Sequence, residues 1–529
     1  MRRSQTSVGS LALRRSGLPP YLVGRAQFVG LQDAEAGPIT PEAVAAALID
    51  EFSVGFGPPS VIRGADLDTF DRRLSAAGFS LHHLSDSVDQ RLVLVSPGAG
   101  APLTMPITKV RWPALVTVLP AGAIREALAP LASIRALMVL DEHVRRIRQG
   151  EIRNEDQKIV ARLELVEQGP DAMAAPARLG VHPLRGYGGE ARQVVRLLAA
   201  AGLRPVRPAR DDAKRRDTDE PRVTIDRSAP AIALLVAEWS GYLAAMRANL
   251  PGMLDDVDTE FLHDFRIAVR RTRSTLKLGR PALPEDVTAR WEPALKWLSG
   301  LTTPVRDLDV HQLDLPVMAG WLVAADPADL QPFALQLRRH RSAARRSLVR
   351  GLRSARFRSV LSGWEDVLAD LSRSPREPAT RLTTGELADR SIRRAYRRVV
   401  RGGAAITPDS PPEALHSLRA RCKELRYALE LFAPVSDDAA RKHAVADLKD
   451  LQDILGRFQD ADVQRQTFYG FAEQMRAAQA PTRALMAMGE LVAHLDADQQ
   501  QARAGFDRAF ARFSRPAGRQ RISLLTAGR

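Results

Sequence analysis

With 529 residues, 45% of them hydrophobic and 26% charged, the chain is long enough for about three domain-sized units and falls outside the disordered, collagenous and mucin-like classes. It carries 77 Lys and Arg against 62 Asp and Glu, a formal net charge of +15. A single cysteine, Cys422, excludes an internal disulfide and any multi-cysteine zinc module, so a reducing, cytoplasmic setting is expected.

Residues 1–30 read as an N-terminal tail. Leu11-Ala12-Leu13 runs straight into Arg14-Arg15, too short an apolar core for a signal peptide. No window approaches the roughly 18 apolar residues of a membrane helix, and no membrane association is expected. Residues 31–205 read as a mixed α+β domain: strands at 91–96, 114–119 and 158–166, helices at 41–52, 122–131 and 189–201, with Pro/Gly turns between. Residues 206–228 are charged and aperiodic, a linker. From 229 to 515 helical windows follow one another without a strand, and 516–529 read as a C-terminal tail. The basic excess leans to this second part, +5 over residues 1–250 and +10 over 251–529.

Only eight of the 77 basic residues are Lys. A guanidinium fork pairs bidentately with phosphate or carboxylate and never loses its charge, although a GC-biased genome also yields Arg in place of Lys. Position decides between the two, and position is supplied by an internal duplication. His263-Asp-Phe-Arg266-Ile-Ala-Val-Arg270-Arg271-Thr-Arg273-Ser-Thr-Leu276-Lys277 recurs as His416-Ser-Leu-Arg419-Ala-Arg-Cys-Lys423-Glu-Leu-Arg426-Tyr427-Ala-Leu429-Glu430, 153 positions on. The same offset aligns Lys296 with Lys449, and Asp307-Leu-Asp309 with Asp460-Ala-Asp462, a register held over about 48 residues. Two homologous helical halves follow, 229–375 and 383–515.

At 100° per residue, His263, Arg266, Arg270, Arg273 and Lys277 share an arc of about 80°. Phe265, Val269 and Leu276 occupy the adjoining, packing face. His416, Arg419, Lys423 and Arg426 repeat the arc, with Glu430 in place of the last cation. Like charges at i, i+3 and i+4 destabilise a helix by a few tenths of a kcal/mol per pair. One such run is ordinarily a solvated face; its recurrence at the same spacing points instead to a cationic groove for a long polyanion. Arg338, Arg341 and Arg345 on one further helix, and Arg394 and Arg397 on another, are counted with it. The Asp pairs read as caps or salt-bridge partners in preference to metal ligands. Cys422, Trp291 and Trp297 read as core. No nucleophile–base triad, phosphate-cradling glycine loop or zinc cluster is present, so no catalytic residue, metal or cofactor is expected.

The segments LHDFRIAVRRTRSTLKL and LHSLRARCKELRYALELF, followed by RDLDV and QDADV, resemble the CHAD (conserved histidine α-helical domain) family over about 300 residues from 229 onward. The resemblance implies two pseudo-symmetric four-helix bundles whose basic groove binds inorganic polyphosphate, in some members on polyphosphate granules. Its matching positions are His263, Arg266, Arg270, Arg271, Arg273, Lys296, His416, Arg419, Lys423, Arg426, Tyr427 and Lys449. The first part, through LDTFDRRLSAAGFSLHHL, KIVARLELVEQ and HPLRGYGGEARQVVRLLAAAGLRP, is similar to the CYTH triphosphate-tunnel fold, an antiparallel β tunnel. The Glu-x-Glu-x-Lys strand of that family is not found, since the start offers YLVGRAQFVGL. Its Leu-Arg-x-Arg has become Leu81-His82-His83-Leu84. The resemblance therefore implies a degenerate, non-catalytic tunnel, with Arg162 and Glu164 as remnants.

The expected function is non-catalytic binding of polyphosphate, in the cytoplasm and on granules. The alternative is a metal-dependent triphosphatase or polyphosphate-processing enzyme acting through the first domain. Nucleic acid is a weaker partner, because 5% aromatic residues supply little base stacking. Oligomeric state is not specified.

Overall fold

A computed structural model describes residues 27–30, 39–86, 89–97, 102–108, 110–167, 178–203, 226–373 and 382–526. The chain divides into two compact units between Pro221 and Arg222, inside the expected linker, whose residues 206–225 lie outside the described residues.

The first unit runs β1 (Gln27–Gly30), α1 (Pro41–Leu48), β2 (Ser53–Phe56), β3 (Ser60–Thr69), α2 (Arg73–Ala76), β4 (Ser80–Ser85), β5 (Gln90–Val95), β6 (Leu103–Pro106), β7 (Ala114–Leu115), α3 (Ala123–Ala132), β8 (Ala136–Arg153), β9 (Ile159–Val166), β10 (Arg178–Pro183) and α4 (Gly188–Ala200). The strands form one antiparallel sheet in the order β1-β10-β9-β8-β3-β4-β5-β6, with β2 and β7 also on β8. Irregularities at Asp66/Leu67 and Ile152/Arg153 bend it, as bulges do, into a curled half-barrel. Its apolar face is covered by helices. Leu67, Leu81, Leu92 and Leu94 pack under Ile124 and Leu128 of α3. Leu163, Leu165 and Val181 pack under Val44 and Leu48 of α1 and Val194 and Leu198 of α4. The other face carries Asp66, His82, Asp141 and His143 and, on the same side, a smaller buried apolar cluster of Ile62, Leu84, Val93 and Ile147.

Two expectations are corrected in this unit. Gln27–Gly30, read as tail, is an edge strand paired with β10. The strand expected at 114–119 stops at Leu115 and becomes a 3-10 turn, Val116–Val118. Val116 and Leu119 are both buried, and residues three apart share a face in a 3-10 turn but not in a strand.

The second unit is helical: α5 (Ala231–Asp255), α6 (Thr259–Gly279), α7 (Glu285–Ala319), α8 (Gln331–Leu352), α9 (Ala355–Arg373), α10 (Thr384–Ala404), α11 (Pro412–Leu431), α12 (Asp438–Ala477), α13 (Thr482–Phe513) and α14 (Pro516–Thr526). The starts of α5 and α10, of α6 and α11, and of α7 and α12 are each 153 residues apart, as are the 3-10 turns Arg280–Ala282 and Ala433–Val435. The halves meet about a pseudo-twofold. Ala231 N donates to Leu382 O at 2.9 Å, and the equivalent Thr384 N donates to Ala229 O at 2.8 Å, either side of the bridge Pro230–Thr383. Helix α6 packs directly on its counterpart α11.

Trp239, Trp291 and Trp364 stack edge to face in the first half. Met318, Phe333 and Leu337 pack against Phe468, Phe471 and Met488 of the second half. Cys422 is fully buried, and burial pushes its thiol up to about 12, as a packing residue requires. Trp297, expected in the core, is half-buried with the Arg356 guanidinium 4.2 Å above its ring. The segment read as a C-terminal tail forms α14, which buries Ile522 and Leu525 against α10 and α12 as α9 packs on α5 and α7.

Candidate functional site

Helix α6 starts where Asp258 accepts from the backbone N–H of Glu260 and Phe261, and it buries Phe265, Val269 and Leu276. The cations are thereby turned to the adjoining arc. Helix α11 buries the equivalent positions Leu418, Cys422 and Leu429 and turns its stripe the same way.

At the head of each stripe the first arginine is locked onto the next helix. Arg266 Nη1 donates to Thr302 Oγ1 at 2.9 Å, Thr303 Oγ1 at 2.8 Å and Ser299 O at 3.3 Å on α7. Burial, with Arg270 and Arg306 nearby, holds its pKa below the ordinary guanidinium value, while Asp307 opposes that. In the second half Arg419 Nη2 lies 3.2 Å from Asp460 Oδ1, the equivalent of Asp307. His416 Nε2 stands 3.4 Å from Asp462 Oδ2, with its ring edge-on to Phe458. His263 is half-buried; desolvation first, then Arg306, keep its imidazole below the usual range.

In the middle of the seam the equivalents Arg270 and Lys423 come together. Burial lowers the Lys423 pKa, Arg419 lowers it further, and Arg270 reaches across from the other half to do the same. Further along, Arg271 and Arg426 share Glu430, at 3.7 and 2.7 Å, and Tyr427 lies half-buried beside them in sequence. Lys296 lies on the face of α7 that carries Ser299 and Thr303, and Lys449 on the face of α12 that carries Gly456 and Asp460; both are exposed. Among the described residues no carboxylate lies within ion-pair distance of Arg270, Arg273, Lys277, Lys296, Lys423 or Lys449.

Two of the expected cations are engaged by protein partners. Arg341 Nε is 2.5 Å from Asp309 Oδ1, and its two Nη atoms donate to Asp256 at 2.9 and 2.8 Å. Arg345 donates to Met253 O and Leu254 O and pairs with Asp256, closing the C-terminal end of α5. Arg338, Arg394 and Arg397 are exposed on α8 and α10. The Asp pairs lie in mid-helix, so the capping reading fails and the salt-bridge reading holds. Asp307 sits beside Arg266, Asp309 binds Arg341, and Asp462 is reached by Arg465 at 3.3 Å. Thr302, Thr303 and Arg465 carried no signal in the sequence, because only tertiary packing brings them to the stripe and its carboxylates.

In the first unit the strand pairing sets Glu164 opposite Gln149, and Arg162 opposite Glu151 and His182, on the face away from the covering helices. Glu164 is 2% exposed, and burial pushes its carboxyl up to about 8; burial alone draws His182 down to about 4. The two histidines that replace the arginine motif diverge. His82 Nδ1 meets Asp66 Oδ1 at 2.7 Å, whereas His83 Nδ1 accepts from Trp112 Nε1 at 3.2 Å on the opposite face. Strand β1 reads Gln27-Phe-Val-Gly30 and offers no carboxylate. Among the described residues no helix is long and apolar enough to cross a membrane.

Residues 238–469 match the family model of the CHAD domain. Two uncharacterized proteins of Mycobacterium tuberculosis, from strains CDC 1551 / Oshkosh and H37Rv, are 26% identical over 209 residues, 39% of this chain and 39% of their own length. Among solved structures, the CHAD domain of the plant Ricinus communis is 21% identical and covers 58% of this chain and 94% of its own (TM-score 0.45). PptA from Streptomyces chartreusis is 20% identical, covering 54% of this chain and 100% of its own (TM-score 0.43). A provisionally assigned adenylate cyclase of Vibrio parahaemolyticus is 14% identical, covering 35% and 96% (TM-score 0.22).

Proposed function

We propose that this protein, whose residues 238–469 match the family model of the CHAD domain, binds inorganic polyphosphate, without reaction, along the seam where α6 and α11 meet. The observation that carries the reading is that Arg270 and Lys423, at equivalent positions of the two packed helices, act on each other as like charges, and among the described residues neither is held in an ion pair, although Asp460 lies near enough to oppose the effect on Lys423. Like charges brought together and partly dehydrated raise the free energy of the empty protein, and a chain of phosphates threaded between them relieves that cost. Arg273, Lys277, Lys296 and Lys449 extend the contact on either side, and Arg266 and Arg419 hold fixed forks at its edges. Residence on polyphosphate granules follows from the same affinity.

Calorimetry with long-chain polyphosphate at low salt is expected to give saturable binding that collapses in the variant Arg270→Glu/Lys423→Glu. No binding by the natural chain, or unchanged binding by the variant, overturns the reading. Binding of duplex DNA in preference to polyphosphate in a direct competition would move it to nucleic acid.

A further inference from the structure

The face of the sheet away from the covering helices holds, beside the buried Ile62, Leu84, Val93 and Ile147, a second cluster that the cationic seam does not use. Asp66 on β3 and Asp141 and His143 on β8 each offer one ligand atom, and these atoms lie within 4.8 Å of one another. The strand register explains the proximity: Asp66 pairs with Asp141 and Gly64 with His143, so all three side chains rise from one face of two adjacent strands.

Three features separate this cluster from an ordinary solvated acidic pair. Asp66 and Asp141 are direct cross-strand partners, and like charges placed directly opposite destabilise a sheet. Among the described residues the one ion-pair contact to either is His82 Nδ1, 2.7 Å from Asp66 Oδ1, although Arg145 further along β8 contributes positive field. His82 comes from β4, where it is the register partner of Asp66, and fixes one oxygen of that carboxylate. The imidazole of His143 lies across the neighbouring strand at Gly64, where a Cβ would stand 2.2 Å from its Nε2. Only glycine leaves that space, and the ring that occupies it stands beside the two carboxylates.

We propose that Asp66, Asp141 and His143 bind a divalent transition-metal ion of the class that accepts mixed imidazole and carboxylate ligands, with His82 as the outer-shell partner that orients Asp66. With metal–ligand bonds of about 2.1 Å, ligand atoms sit roughly 3.4 Å apart in a tetrahedron and about 4.2 Å apart across an octahedron. The ligand atoms of the three residues lie within 4.8 Å of one another, close to these separations. Three protein ligands leave at least one position open to water or an anion. This inference does not depend on polyphosphate binding by the helical unit.

Metal-free full-length protein titrated with Co²⁺ should develop visible absorption saturating at one equivalent, and calorimetry with Zn²⁺ should give the same stoichiometry. Asp141→Asn and His143→Ala should each weaken binding at least tenfold, and His82→Gln by about tenfold or more, as outer-shell partners do. Replacing the exposed His443 on α12 should change nothing. Asp141→Asn removes a like-charge neighbour, so its metal-free melting temperature should equal or exceed that of the natural chain while the metal-induced rise is lost. Absence of a saturable equivalent, or natural affinity in both Asp141→Asn and His143→Ala, overturns the proposal.

Discussion

Two residues show function and stability pulling in opposite directions. Lys423 is half-buried beside Arg419 and Arg270, and its lowered pKa means that the folded state disfavours its charge. A lysine whose folded pKa is depressed costs stability wherever it is protonated, and the cost fades as pH rises through that value. Lys423→Gln is therefore expected to raise thermal stability by on the order of 1 kcal/mol at neutral pH while weakening polyphosphate binding; melting and calorimetry on one preparation check both signs. Glu164 shows the converse linkage. Its carboxyl has a folded pKa of about 8 against an ordinary 4.5, so the folded state holds a proton that the unfolded chain has lost. Stability from this group is complete below about pH 4.5 and declines as pH rises towards 8, by up to a few kcal/mol. Denaturant melts of the natural chain between pH 5 and 8.5 should show that decline, and Glu164→Gln should flatten it.

At the level of helices and strands, the duplication was legible because it is written in identities at one fixed offset. The starts of the first three helices of each half, the 3-10 turns Arg280–Ala282 and Ala433–Val435, and the reciprocal hydrogen bonds of Ala231 and Thr384 keep it. The direction of each stripe was legible too, since Phe265, Val269 and Leu276 define the packing side on their own. What the sequence hides is which cations are taken by protein partners. Arg338, Arg341 and Arg345 look alike along α8, yet only Arg341 and Arg345 lie over Asp256, and Arg341 alone also reaches Asp309 on α7. Most of strand β8 was equally hidden: after the apolar run Ala136–Leu140, residues 141–153 carry charges on both faces, so no period-two alternation marks the stretch that forms the spine of the sheet. The division among the α8 arginines is testable. Asp309 is 1% exposed, and removal of its partner leaves a buried charge uncompensated. Arg341→Ala is thus expected to destabilise the helical unit by about 3–5 kcal/mol, whereas Arg338→Ala should stay within about 0.5 kcal/mol, each read from denaturant midpoints. Equal effects on folding from the two would remove the assignment of Arg341 to the fold.

For the whole molecule, the excess of +15 attracts any polyanion, so affinity alone cannot separate a site from a diffuse field. The ionic-strength dependence separates them. A site that neutralises Z phosphates releases their counterions, and log K falls with log salt at a slope of about −0.7Z for a single strand, a scale we carry over to polyphosphate. Two double variants lower the net charge equally: Arg270→Gln/Lys423→Gln at the seam, and Arg394→Gln/Arg397→Gln on the exposed face of α10. If the convergent pair touches the ligand, the first should make the slope shallower by about 1.4, and the second should leave it nearly unchanged while slowing association slightly. A diffuse field predicts equal changes in both, because it counts charges without regard to place. Calorimetry across a salt series from about 50 to 200 mM measures the two slopes directly. The difference between them states how much of the excess charge is organised by the 153-residue repeat and how much only surrounds it.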